Sequence, residues 1–165
     1  MPAKCVPDEH RGEFGYGDVW TWTALCADTK LVPSWLVGER TAEDAEVFMR
    51  DVASRLSHRV QLTTGGLRFY VNAVETAFGA DIDYAMLHKI YAGPEGHEDE
   101  RRYSPAVCTG IEVRAVQGHP RLAKASTSYV ERQICRCGWG TRRFNRLTNA
   151  FSKKVENLAH ALQAR

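Results

Sequence analysis

Apolar and polar positions alternate most clearly over Val19-Trp20-Thr21-Trp22-Thr23-Ala24-Leu25, where aromatic and β-branched side chains recur at a period of two. That pattern predicts a strand. Cys26 to Lys30 reads as a turn, and Leu31 to Val37 as a partner strand ending at Gly38. Pro33 has no N–H to give a ladder, which puts this second strand at a sheet edge. Thr41, Glu43 and Asp44 resemble a capping box. Ala45, Phe48, Val52 and Leu56 follow at helical spacing and predict a helix to about Ser57. Val60 to Thr64 predicts a short strand broken by Gly65-Gly66. A second helix is expected from near Leu67, with Tyr70, Val74 and Phe78 on one face and Gly79 at its end. Ile82, Tyr84, Met86, His88 and Ile90 alternate with Asp83, Ala85, Leu87 and Lys89, which suggests another strand. Gly93 to Arg102 reads as a charged loop, Cys108 to Val116 as one more strand, and Ser126 onward as helix interrupted around Gly138-Trp139-Gly140. Residues 1–17, rich in Gly and Pro, read as loop. Hairpin, helix, strand, helix, strand, irregular insert and basic helix make an α/β order with a mixed sheet.

Composition changes this picture little. The chain has 165 residues, 44% hydrophobic and 25% charged, which suits one globular domain and argues against disorder. No apolar run approaches the roughly 18 residues of a membrane span. The N-terminus lacks a basic-plus-apolar leader, so a cytoplasmic protein with no membrane partner is expected. Cys5, Cys26, Cys108, Cys135 and Cys137 are scattered, and no second Cys/His pair accompanies the last two. They read as reduced, incidental thiols rather than zinc ligands. The six histidines are dispersed and form no evident triad with a cysteine.

Charge changes it more. Arg121 to Arg165 carry ten Lys/Arg and two Asp/Glu, whereas the preceding residues carry twelve and eighteen. The near-neutral total of +2 hides a polarised chain. A basic block of this kind attracts a phosphate backbone. Within its stretch 127–154, one carboxylate, Glu131, sits among cations.

Four stretches carry a resemblance to a known family. They are Gly17-Asp18-Val19-Trp20-Thr21-Trp22-Thr23-Ala24-Leu25; Lys89-Ile90-Tyr91; Thr127-Ser128-Tyr129-Val130-Glu131-Arg132-Gln133; and Arg142-Arg143-Phe144 through Phe151-Ser152-Lys153-Lys154. Together they resemble bacterial insertion-sequence transposases of the insertion-sequence-1 type, over about residues 6 to 160. The resemblance implies an RNase H-like core over residues 18–165 behind an irregular segment at 1–17. It implies three acids (Asp, Asp and Glu) holding two Mg²⁺ ions, since in-line displacement at phosphorus needs cations on both the attacking and leaving oxygens. The implied partners are DNA at the transposon ends and either further copies of the chain or an intact transposase subunit.

Carried over residue by residue, that pattern is incomplete. Glu131 matches the third acid and would be the surviving metal ligand. The second acid belongs in a Thr-Thr-Asp-Gly run, and here Gly65 holds its position. Asp8, in an Asp-Glu dipeptide without the family's Trp, is the weak candidate for the first. Cys26 stands where the family favours Asp, and the family's N-terminal DNA-reading region is missing. Arg132, Arg142, Arg143, Arg146, Lys153 and Lys154 are the expected backbone contacts. Ile134 to Gly140 departs from a family run close to Asn-Leu-Thr-x-Arg-Met. Its codons read one base earlier give Asn-Leu-Pro-Met-Arg-Met-Gly, so a short frameshift between Gln133 and Thr141 is expected, with the helix broken there. The resulting expectations are a catalytically inactive transposase core or, alternatively, a non-enzymatic DNA-binding or transposase-interacting fragment. The strand that should carry the first acid is central in an RNase H-like sheet. Without it, the hairpin and the strand at 60–64 lose their shared neighbour, and low stability or self-association follows.

Overall fold

A computed structural model describes residues 7–10, 19–92, 107–140 and 155–163. The chain is mixed α/β and divides into two compact units, Met1–Arg55 with Ser128–Arg165, and Leu56–Thr127.

The first unit contains a two-stranded antiparallel hairpin, β1 (Trp20–Thr23) and β2 (Trp35–Gly38), with Trp22 opposite Leu36. Both strands are shorter than the alternation suggests. Pro33 and the turn before it keep residues 31–34 off the regular ladder, and two backbone bonds, from Ala24 N–H to the Ser34 carbonyl (3.0 Å) and from Cys26 N–H to the Leu31 carbonyl (2.9 Å), extend the pairing. Lys30 takes a positive φ of 62° in the turn, and its ammonium lies 3.6 Å from the centroid of the Tyr129 ring.

Helix α1 (Ala42–Ser54) starts where the capping box places it, because the Thr41 hydroxyl accepts from the Asp44 N–H at 3.2 Å. Its buried stripe is Ala45, Phe48, Met49 and Val52. Phe48 meets Trp22 with ring centroids 6.0 Å apart, and the Trp22 indole N–H donates to the Glu39 carbonyl at 3.1 Å. This is the core of the first unit. Buried Ser34 donates to Asp51 Oδ2 at 2.5 Å, and Arg55 Nε donates to the same carboxylate at 3.0 Å. Those bonds, Arg55 first, hold the Asp51 carboxyl below the usual range. Helices α3 (Ser128–Gly140) and α4 (Val155–Gln163) belong to the same unit. The expected break at residues 134–140 does not occur. Gly138 and Gly140 fall in the last turn of α3, where glycine's conformational freedom costs a helix least.

The second unit is a three-stranded mixed sheet of order β3-β4-β5, formed by β3 (Gln61–Gly65), β4 (Asp83–Ala92) and β5 (Val107–Gln117). β3 and β4 are parallel and joined through helix α2 (Phe69–Phe78), whereas β4 and β5 are antiparallel. Gly79, at φ 53°, ends α2 as expected. β4 does not follow the two-faced pattern read from the sequence. Tyr84, Ala85, Met86 and Leu87 are all buried, because a central strand covered on both faces has no solvent side over that stretch. Ala73, Val74 and Ile82 complete this second core. Among the described residues no strand belongs to both sheets. The irregular segment at 1–17 contributes one short 3₁₀ turn, Asp8–His10, and no described strand.

Candidate functional site

Gly65 is the last residue of β3, at the carboxyl end of a parallel strand pair. Open α/β sheets take their ligands outside such ends. A Cβ built on Gly65 would meet nothing within 4 Å, so the position has room for a side chain but carries none. Its neighbours are ordered by polar contacts. The Thr64 hydroxyl and the Tyr84 phenol share a buried 2.7 Å hydrogen bond, and Thr64 Oγ1 also donates to the Gly65 carbonyl at 3.1 Å. Burial pushes the Tyr84 phenol up, so it stays neutral and can donate to Thr64. Gly66 lets the His88 imidazole approach, since a Cβ there would lie 2.5 Å from Nδ1. His88 was the residue sequence reasoning missed at this strand end. The only signal for it was its place on the same strand parity as Tyr84 and Met86.

The opposite end of the sheet is also polar, but its groups satisfy one another. Arg59 donates to Asp83 through Nη2 (2.8 Å) and Nε (3.2 Å), to the Ala80 carbonyl (3.0 Å) and to the Ile82 carbonyl (3.2 Å). The His119 N–H adds a 2.8 Å bond to Asp83. Arg59 first, then His119, lower the Asp83 carboxyl to about 2. The Gln61 side chain accepts from the Arg121 N–H at 2.9 Å and donates to its carbonyl at 3.0 Å. Bidentate pairing and closed backbone bonds of this kind fix a chain path. They are structural rather than ligand-directed.

The other predicted residues are dispersed. Glu131 is exposed in the first turn of α3, where its charge complements the positive end of the helix dipole. Arg132, beside it, is exposed. Asp8 lies exposed in the 3₁₀ turn and not on a strand, since Pro7 and the turn hydrogen bond from the His10 N–H to the Pro7 carbonyl curl the chain there. Asp8 and Glu131 belong to the first unit and Gly65 to the second. Arg142, Arg143, Arg146, Lys153 and Lys154 lie outside the described residues. Among the described residues no three of His, Cys, Asp and Glu gather where they could hold a metal ion. No described helix is long and apolar enough to cross a membrane. No protein-family description, no curated protein and no solved structure matches the chain.

Proposed function

We propose that this chain is the RNase H-like core of an insertion-sequence transposase of the insertion-sequence-1 type, that it has lost strand-transfer chemistry, and that it retains affinity for the DNA backbone. The carrying observation is Gly65. It ends a parallel strand at the place such sheets use for ligands, in open space, where the resemblance calls for the second acid. The order hairpin, helix, strand, helix, strand supports the fold. Two sheets without a common strand are what loss of the central, first-acid strand would leave.

The residues present do not fit a pair of Mg²⁺ ions. Gly65 has no side-chain oxygen, and Asp8 sits in an exposed turn rather than on a strand. No catalytic step is therefore assigned. What remains is electrostatic. Exposed Arg132, with Arg142, Arg143, Arg146, Lys153 and Lys154 of the basic segment, would neutralise phosphates without reading bases. The one-sided charge of residues 121–165 also favours the second reading, a non-enzymatic fragment that binds DNA or an intact transposase.

The test combines an end-cleavage assay in Mg²⁺ with a DNA-binding titration, using the wild-type chain and Gly65→Asp. Neither protein should cut, because the first acid is also lost. Affinity should fall about a hundredfold between 50 and 200 mM salt if about four phosphates are neutralised. Mg²⁺-dependent cutting by the wild type would refute the loss of chemistry. Binding that ignores salt would refute backbone recognition.

A further inference from the structure

β5 is the longest described strand and the least covered: every one of its residues is exposed or half-buried, with Val107 68% and Ile111 58% exposed. Ile90 and Tyr91, beside it on β4, are also exposed. Among the described residues β5 pairs only with β4, so its outer edge presents open N–H and C=O groups. That edge has no proline, and its two bulged residues, Val116 and Thr109, where the ladder skips one β5 residue opposite Tyr84/Ala85 and Ile90/Tyr91, leave Gly110 to Ala115 as a regular stretch. Folded proteins ordinarily blunt such an edge with Pro, Lys or a bulge.

We propose that the open edge of β5 pairs antiparallel with β5 of a second copy of this chain, centred on Val113. This inference does not depend on the transposase reading. The register follows from symmetry and charge. Two identical antiparallel strands related by a twofold axis must set one residue opposite itself, because directly opposed side chains share a face. Centring on Glu112 opposes two carboxylates, and centring on Arg114 opposes two guanidinium groups. Centring on Ile111 sets Glu112 against Gly110. Centring on Val113 places Glu112 of each copy opposite Arg114 of the other, on both sides of the axis. It also sets Ile111 against Ala115, over the regular stretch 111–115 that lies between the two extra residues of β5, Thr109 and Val116. Opposite charges and apolar pairs directly across a ladder stabilise it, whereas like charges oppose it. Glu112 and Arg114 are both exposed and form no ion pair among the described residues of their own unit, whose surface bridges run through Arg59. The pairing joins two three-stranded sheets into one continuous sheet and covers the apolar side chains that a lone copy exposes. A second copy suits this edge better than an unrelated strand, because the charge order is complementary to itself.

The experiment is sedimentation equilibrium on the full chain in reductant, since Cys108 on this strand is exposed. The wild type should dimerise. Glu112→Arg and Arg114→Glu, each alone, should raise the dissociation constant about tenfold or more, and the combined exchange should return it to within about threefold of wild type. Circular dichroism checks that the variants fold. Amide exchange over residues 111–115 of the unaltered protein should slow as concentration rises, which reads the same interface without a substitution. A wild-type chain that stays monomeric at about 100 μM overturns the proposal. So do single exchanges without effect, or a combined exchange no better than the singles.

Discussion

Asp83 shows how a single residue ties its unit together. Its carboxylate takes two bonds from Arg59 and one from the His119 backbone, and its pKa falls to about 2. An unfolded aspartate titrates near 3.9. The folded form is thus favoured wherever the carboxylate is charged. That contribution is present above about pH 4 and is lost as pH falls toward 2. Arg59→Ala should move the Asp83 midpoint up toward the ordinary range, as followed by carboxyl NMR; an unmoved midpoint would refute the assignment. Two glycines offer a sharper contrast. Gly118 has φ 66°, and a Cβ there would lie 2.6 Å from the Ile82 carbonyl. Gly118→Ala should cost about 1–3 kcal/mol. Gly65→Ala meets nothing within 4 Å and should change stability by less than about 0.5 kcal/mol in thermal melts. Gly65 stood out in the sequence only through the resemblance, which calls for an acid at that position. The Arg59–Asp83 pair was not legible, because its partners are far apart in the chain and meet only once β3 and β4 are in register.

At the scale of elements, α1 was the most readable. A capping threonine and residues recurring every three or four positions are local signals, and they placed Thr41, Ala45, Phe48 and Val52 correctly. Thr41→Ala should remove about 1 kcal/mol of stability by orphaning the Asp44 N–H. Phe48→Ala should cost about 3–5 kcal/mol, because it empties the space against Trp22; denaturant titration measures both. If Phe48→Ala lost less than about 1 kcal/mol, Trp22 and α1 would not form the core described. The strands were less readable, for identifiable reasons. Pro33 shortened the hairpin from within. β4 concealed its central position behind an apparent alternation, since whether a polar-looking parity is buried depends on which strands flank it. In α3 the two glycines suggest a break, but their cost depends on how near they lie to the helix end. At the candidate site only Gly65 was singled out in the sequence, by resemblance, and His88 became evident only when the chain brought it against Gly66.

For the whole molecule, the polarised charge and the open β5 edge make separate demands on behaviour in solution. The first predicts salt-dependent attraction to polyanions, and the second predicts concentration-dependent association. Association weakened by Glu112→Arg while DNA affinity stays constant would show that the two are independent. The division into units has a further consequence for how the chain is made. Leu56–Thr127 is one continuous stretch, whereas the first unit draws on both Met1–Arg55 and Ser128–Arg165. During synthesis the continuous unit has every residue of its core, from Ala73 to Leu87, before α3 has been translated. The hairpin and α1 emerge earlier with the Trp22–Phe48 contact complete, and only the cation–π contact of Lys30 with Tyr129 waits for α3. Each core is thus contained in a stretch that is finished before the next begins, and the last part made adds contacts to the first rather than founding it.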